Sequence, residues 1–380
     1  MHERETAGIT RRQFGLAGAA AGFGAAAGLR RFATAGAETA TPGAGDGMAA
    51  AADGWDVPAK WLTAPETVSP ALRGLVTTPP GEIWLQHLTA DQFRQVQAAE
   101  AEIAPARAAA VWTKLGVAVE TGPVAGVPCY RITPPDVPAD RRNRLLVHTH
   151  GGAYVINGGA NASIEGAWIA SATRTPVISI DYRMPPDHPF PAALDDVTAV
   201  WGEVMRDRDP AATGLFGTSA GGGLAMALIL RAAELGLPAP AALSLSTPWS
   251  DLSKTGDSYI TMAMIDNAIV TWDGALGDAA LLYANGEDLG NPLISPVNGD
   301  LGGFPPTILF SGTRDLFLSN TVRVHRKMRQ AGIEADLHVF EALPHAGWSP
   351  WATPDAAILA PETKDFLSEI TAFFDARLQG

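Results

Sequence analysis

A short apolar run ends in Gly-x-Ser-x-Gly and continues directly into a helical pattern, and this transition constrains the fold more than any other feature. Leu215 and Phe216 are typical of the end of a buried strand, and the later stretch LAMALILRAAELG has helical periodicity. A strand that turns at once into a helix leaves no room for side chains at Gly217 and Gly221, and it exposes the Ser219 hydroxyl. Because the chain has 40 glycines in 380 residues, the motif alone is weak evidence for a nucleophile.

Apolar runs bounded by turn residues alternate with helical patterns along most of the chain. The runs are LLVHTH, TPVISIDYR, TGLFGTS, AALSLSTPW, PPTILFSGTRD and ADLHVFEALPH, and two antiparallel strands are predicted before them around VAVETGPVAGVPCYRIT. Helices are predicted at residues 164–173, 192–205, 220–235, 320–331 and 363–378. Strands without a polar face that alternate with helices predict an α/β fold, with a mostly parallel sheet covered by helices on both faces.

Composition excludes several classes of protein. Hydrophobic residues make up 47% of the chain and charged residues 18%, which is typical of a soluble globular protein. The formal net charge is −13 and we find no basic run, so we expect no nucleic-acid partner. The single cysteine, Cys129, excludes an internal disulfide and a cysteine-rich metal site.

The first 37 residues have the features of an export signal. Arg11 and Arg12 precede an Ala/Gly-rich, mildly apolar stretch, which ends at residues 35–37 in the small residues that a signal peptidase accepts. The segment resembles a twin-arginine signal, so we expect the export machinery to deliver the chain to a periplasm or to the medium, without a stable membrane anchor. A transmembrane anchor and an unstructured leader are the alternatives.

Two segments stand apart from the strand–helix alternation. Residues 38–114 are loop-like and then helical, and their pattern predicts a helix that is broken near Pro105 and capped by Thr89 or Asp91. Residues 250–290 interrupt the alternation, and we predict a helical insertion there.

The serine requires a base and a carboxylate, because a hydroxyl is a poor nucleophile until its proton is removed. Where a serine lies on such a turn, the chain order is Ser, then Asp or Glu, then His, and these residues follow the carboxyl ends of strands. Asp315 and His345 both follow predicted strands in this order, whereas His338 lies inside a strand and His325 on a helix. We therefore predict Ser219, Asp315 and His345 as a catalytic set.

The segment HTHGGAY, residues 148–154, follows a strand and offers tightly turned backbone amides that are suited to an oxyanion. Metal binding by His148 and His150 is the competing interpretation. No acidic residue and further histidine follow at ligand spacing, and HExxH is absent, so we expect no metal site.

Four motifs together resemble the hormone-sensitive-lipase-like branch of the α/β-hydrolases. They are HGGA at residues 150–153, DYRMPPDHPFPAALDD at 181–196, GTSAGGG at 217–223, and SGTRD with PHAGW at the two later strand ends. Bacterial members of that branch are esterases of small acyl esters, and the GTSAG form indicates one sub-branch. The resemblance implies an α/β-hydrolase domain over residues 115–380, with a helical cap built from residues 38–114 and 250–290.

The resemblance also implies a role for each site residue. Ser219 is then the nucleophile, His345 the base and Asp315 the acid that orients it. The amides of Gly152, Ala153 and Ala220 would form the oxyanion hole. The branch usually has a glycine where this chain has Ala153, and an alanine amide serves there unless the position requires a positive φ. No cofactor is expected.

The predicted substrate is a small-molecule carboxylic ester with a small to medium acyl group. Tyr154, Trp249 and Trp348 adjoin the ends of the catalytic strands, so we predict them as walls of the acyl or alcohol pocket, although a Trp is more often part of a packed core. Three alternatives remain open: a lactonase or an acyltransferase with the same residues, and a ligand-binding receptor without catalysis.

Overall fold

The computed structural model describes residues 61–348 and 360–380, together with Val57 and Ala59. The predicted export signal at residues 1–37 lies outside the described residues, as does the beginning of the predicted cap segment. Within the part of the chain that is described, no helix combines the length and the apolar character needed to cross a membrane.

One eight-stranded sheet forms the centre of the fold, and its strand order is β1-β2-β4-β3-β5-β6-β7-β8. The strands are β1 Ala118–Val124, β2 Val127–Thr133, β3 Leu145–Thr149, β4 Val177–Ile180, β5 Thr213–Thr218, β6 Ala242–Ser246, β7 Thr307–Gly312 and β8 Ala335–Phe340. Strands β1 and β2 form the predicted antiparallel hairpin, and β3 to β8 are parallel to one another. The prediction of a mostly parallel sheet is confirmed.

Alternate side chains of the central strands face two separate hydrophobic layers. Val147, Leu215 and Leu309 pack into one cluster, and their strand neighbours Leu146 and Phe216 pack into the other. Because strand side chains alternate between faces, a strand with no polar face is covered on both sides. Helices therefore cover the sheet on both faces, as predicted for an α/β-hydrolase fold.

The helices of the first layer are α4 Ala192–Asp207, α5 Ala220–Glu234 and α8 Leu318–Gln330, and those of the second are α3 Ala162–Thr173 and α9 Pro361–Arg377. These five agree with the predicted helices to within about two residues. Helices α1 Pro70–Val76 and α2 Ala90–Leu115 precede the sheet. Thr89 caps α2 through a reciprocal pair of hydrogen bonds with Gln92, in agreement with one of the two predicted caps.

The predicted break near Pro105 is wrong. Helix α2 is continuous from Ala90 to Leu115, with Pro105 inside it. A proline removes one helical hydrogen bond, which frees the carbonyl of residue 101. Both positions are exposed, so water can hydrate that carbonyl, while the neighbouring Ala104 and Ala108 are buried against the fold.

Residues 250–290 are less regular than a helical insertion would be. They contain the single-turn helix α6 Ser258–Thr261 and the longer α7 Ala275–Ala284, joined by irregular backbone. Asn267 in this segment donates two hydrogen bonds to the carbonyls of Leu75 and Thr78, at 2.8 and 2.9 Å. The insertion thus contacts the N-terminal segment, although the predicted cap and domain boundaries remain predictions.

Candidate active site

The turn between β5 and α5 holds Ser219 in a sparsely populated backbone conformation, with φ 59° and ψ −124°. A Cβ atom at Gly221 would lie 2.0 Å from the carbonyl oxygen of Thr149, and one at Gly217 would lie 2.5 Å from that of Gly221. Real Cβ atoms do not approach backbone that closely, so both positions require glycine, as predicted. Strained conformations of this kind persist where the surrounding structure fixes them, and they are frequent at active sites.

The loop after β3 contacts this turn directly. A Cβ atom at Gly151 would lie 2.8 Å from the carbonyl oxygen of Thr218 and 3.3 Å from Cβ of Ser219. The N–H groups of Gly152, Ala153 and Ala220 donate no hydrogen bond to any residue within 61–348 or 360–380. Ala220 follows the serine directly and the other two residues belong to the loop that contacts its turn, and their role as donors to a developing oxyanion remains a prediction.

Ala153 has a φ of 51°, in the left-handed region that favours glycine. The position therefore has the positive φ at which an alanine is strained and a glycine is not. A non-glycine residue there costs roughly 1–2 kcal/mol, but the amide N–H of an alanine is the same donor as that of a glycine. The substitution changes the cost of the loop conformation and leaves the number of donors unchanged.

His345 and Asp315 form a buried pair after the ends of β8 and β7. The distance from Nδ1 of His345 to Oδ1 of Asp315 is 3.0 Å, and the two residues are 6% and 0% exposed. Asp315 also accepts hydrogen bonds from the N–H of Phe317 at 2.8 Å and from the hydroxyl of Ser311 at 2.7 Å. These donors fix the carboxylate, and the carboxylate fixes the imidazole with Nδ1 protonated and Nε2 free.

Ser219 is also nearly buried, with 9% of its surface exposed. Its hydroxyl forms no hydrogen bond with His345 or with any other residue in the described ranges. Hydrogen bonds between a nucleophile and its base are often long without substrate and tighten in the complex, so this geometry is compatible with catalysis.

The two histidines considered as metal ligands have other contacts. Nδ1 of His148 lies 2.5 Å from the hydroxyl of Ser179, and its Nε2 lies 3.1 Å from Glu165. His150 stacks on Tyr182 at 4.0 Å between ring centroids, and its Nδ1 lies 2.8 Å from the carbonyl oxygen of Gly151. Burial lowers the pKa of His150 to about 3, so its imidazole is neutral and donates Nδ1–H to that carbonyl.

The three aromatic residues predicted as pocket walls are almost fully buried. Tyr154 stacks on Tyr283 at 3.7 Å between ring centroids, and Trp249 stacks on Phe317 at 5.3 Å. Trp348 belongs to the hydrophobic layer that contains α3 and α9. These are packing contacts of the kind that a core residue makes, and the role of these side chains in substrate binding remains a prediction.

Two cavities lie near the site. The larger, of about 550 Å³, lies between residues 61–80 and the loop 264–267, with Arg314 in its wall. A smaller one, of about 50 Å³, is lined by His150, Gly151 and Thr218 beside the nucleophile turn. Neither is lined by Ser219, Asp315 or His345, so neither is by itself the chamber in which an ester would react.

One buried carboxylate beside the catalytic pair was missed by the sequence analysis. Asp266 is fully buried. One carboxylate oxygen of Asp266, one of Asp315 and one ring nitrogen of His345 all lie within 4.8 Å of one another. Asp266 follows no strand, because it belongs to the irregular part of the insertion. The rule that active residues follow strands therefore could not find it.

Comparisons with known proteins agree with the fold. A model of the alpha/beta hydrolase fold family matches residues 146–349. The acetyl-hydrolase of Streptomyces hygroscopicus is 33% identical over 209 residues, which cover 54% of this chain and 68% of that protein. The esterase of Acinetobacter venetianus is 27% identical over 231 residues, covering 60% and 74%.

Solved structures give the same result over more of the chain. The crystal structure of esterase E25 superposes with a TM-score of 0.80 and 42% identity, covering 86% of this chain and all of that one. An esterase from the bacterial hormone-sensitive lipase family superposes with a TM-score of 0.67 and 29% identity, covering 82% and 99%. The chain belongs to the alpha/beta hydrolase fold family, within the hormone-sensitive-lipase-like branch that its motifs predicted.

Proposed function

We propose that the chain is a serine carboxylesterase that hydrolyses small to medium acyl esters through Ser219, His345 and Asp315. The observation that carries the proposal is the strained turn at Ser219, which lies beside three backbone N–H groups without an acceptor in the described part of the chain. A nucleophile and unused donors on adjacent loops are what acyl transfer requires. The relatives named acetyl-hydrolase and esterase support the same class of reaction.

In the first half of the reaction the serine oxygen attacks the ester carbonyl carbon, and Nε2 of His345 takes the hydroxyl proton. The carbonyl oxygen becomes an oxyanion, which accepts hydrogen bonds from the N–H groups of Gly152, Ala153 and Ala220. One such donor contributes roughly 3–4 kcal/mol to stabilisation of the transition state. The imidazolium is stabilised by Asp315, 3.0 Å from Nδ1.

The first half ends when the tetrahedral intermediate collapses and the bond between the carbonyl carbon and the alcohol oxygen breaks. His345 gives its proton to the leaving alcohol, and the acyl group remains on Ser219 as an ester. In the second half water attacks the acyl-enzyme and His345 takes its proton; the acyl–oxygen bond then breaks, His345 returns the proton to the Ser219 oxygen, and the acid product leaves. A lactonase would use the same steps on a cyclic ester, and an acyltransferase would replace the water with an alcohol.

The test is hydrolysis of p-nitrophenyl esters from acetate to laurate by the wild-type chain and by Ser219→Ala. We expect turnover that is highest on the shorter chains and at least 10³-fold lower in the variant. Equal turnover by both would refute the role of Ser219. Ser179→Ala is the matched control, because it removes a buried hydroxyl outside this turn.

We also propose export through a twin-arginine signal, on the sequence of residues 1–37 alone. Replacement of both Arg11 and Arg12 by Lys keeps the charge and removes the guanidinium pair that such a signal contains. We expect the precursor to accumulate inside the cell, as measured by cell fractionation. Unchanged export of the double variant would contradict this proposal.

A further inference from the structure

Asp266 connects three separate loops around the catalytic pair. Its Oδ2 accepts hydrogen bonds from the N–H of Leu316 at 2.8 Å and from the N–H of His345 at 3.2 Å. Its Oδ1 accepts from the N–H of Ala268 at 2.8 Å and of Ile269 at 3.3 Å. One carboxylate of the insertion therefore binds the backbone next to Asp315 and the backbone of His345 itself.

We propose that Asp266 is a positioning residue, which fixes the loops of Asp315 and His345 relative to each other and places a second negative charge beside the imidazole. This inference rests on the proposed function. Asp266 does not contact the imidazole nitrogen that Asp315 holds, so it acts through the backbone and through its charge. The titratable groups that face it are Asp315 and His345.

Isosteric replacement separates this role from ordinary packing. In Asp266→Asn either end of the amide faces two N–H groups, so the NH₂ group opposes two donors in both orientations. Two of the four hydrogen bonds are lost whichever way the amide turns. A small displacement of the base is enough to slow catalysis about 100-fold, whereas substrate affinity depends on other contacts.

We expect Asp266→Asn to lower kcat by about 10- to 100-fold, with KM changed by less than about threefold. The midpoint of the acid limb of the kcat/KM profile moves to lower pH, because a negative charge beside the imidazolium is removed. The assay uses p-nitrophenyl acetate, and a covalent p-nitrophenyl phosphonate counts the reactive serines.

Asp251→Asn is the matched control. Asp251 is a buried carboxylate of the same insertion, it forms an ion pair with Arg323, and it accepts from the N–H of Ser253 at 2.8 Å. Its replacement lowers the thermal midpoint but leaves kcat per reactive serine and the pH midpoint unchanged. If Asp266→Asn behaves in the same way, its role is purely structural and the proposal is overturned.

If Asp266→Asn does not fold, Asp266→Glu carries the test. It keeps the charge, so the pH midpoint stays at the wild-type value, while the added methylene displaces the acceptors and kcat falls. Wild-type kcat in Asp266→Glu would overturn the positioning role. Ser219→Ala is assayed in parallel, since wild-type turnover by that variant would mean that the proposed function has failed rather than the role of Asp266.

Discussion

Replacement of Asp315 by Asn removes the charge beside His345 while the hydrogen bonds can be kept. The N–H of Phe317 donates to Oδ1, so the amide turns its oxygen toward Phe317 and toward Nδ1 of His345. The NH₂ group then faces the hydroxyl of Ser311, which donates to Oδ2 in the wild type and can rotate to accept. The tautomer of the imidazole is retained and only the charge is lost.

The size of the effect follows from the 3.0 Å between Nδ1 of His345 and Oδ1 of Asp315. Two unit charges at that distance attract by about 5–6 kcal/mol at an effective dielectric constant of about 20. Because each 1.36 kcal/mol is a factor of ten in rate, loss of this attraction to the imidazolium slows the reaction by up to about 10⁴-fold. Asp266 keeps a negative charge nearby, so we expect a loss in kcat/KM of about 10³- to 10⁴-fold.

The assay is hydrolysis of p-nitrophenyl acetate between pH 6 and 9, with folding checked by circular dichroism. Asp336→Asn is the control, because Asp336 is a half-exposed carboxylate at the other end of a strand. We expect the control to keep its activity within about twofold, as surface substitutions usually do. A folded Asp315→Asn variant that loses less than tenfold in activity would refute the assignment of Asp315 as the carboxylate that orients and stabilises His345.

Two substitutions test the backbone of the site. Gly221→Ala places a Cβ 2.0 Å from the carbonyl oxygen of Thr149, so we expect more than about 3 kcal/mol of lost stability or no folded protein. Gly202→Ala in α4 meets only ordinary contacts, at 3.7 Å, and should stabilise by about 0.5–1 kcal/mol in the same urea titration. Ala153→Gly relieves a positive φ but loses a buried methyl group and adds freedom to the unfolded chain, so stability should change by less than about 1 kcal/mol. Its kcat should stay within about threefold of the wild type, because the N–H donor is kept; a tenfold loss would contradict this.

The fold could be predicted because its signals are local. The continuous apolar runs of strands such as Leu145–Thr149, which are buried throughout, and the helical pattern after Ser219 are each contained within a short stretch of sequence. The placement of Ser219, Asp315 and His345 then follows from one topological rule, that parallel strands bring their carboxyl ends to the same edge.

The features that sequence analysis missed depend on tertiary contacts. The burial of Ala104 and Ala108 holds α2 together across Pro105, which a propensity argument cannot include. The positive φ of Ala153 occurs inside a tight turn in which the carbonyl of Gly152 accepts hydrogen bonds from the N–H groups of Val155 and Ile156. Asp266 acquires its role only when three loops that are distant in sequence meet around it.

The negative charge of Asp266 is proposed to assist catalysis, but burial makes that charge unfavourable for stability. The pH dependence of the free energy of unfolding measures this conflict. Burial raises the pKa of Asp266 from 3.8 to about 6, so the folded chain binds this proton more tightly than the unfolded chain does. The stability that this binding contributes is present below pH 4 and is lost as the pH rises through 6. At neutral pH the fold therefore holds a carboxylate whose ionisation burial disfavours.

The amide in Asp266→Asn cannot titrate, so the variant does not lose this stability as the pH rises through 6. Between pH 4.5 and 7.5 the free energy of unfolding of the variant, relative to that of the wild type, should rise by about 2 kcal/mol. Guanidinium titrations of both chains at the two pH values measure this difference, and Asp251→Asn controls for buried carboxylates in general. A difference that does not change with pH would mean that Asp266 is not held as a destabilised carboxylate. A rise, together with a loss in kcat, would mean that the charge disfavoured by burial is the one that the reaction uses.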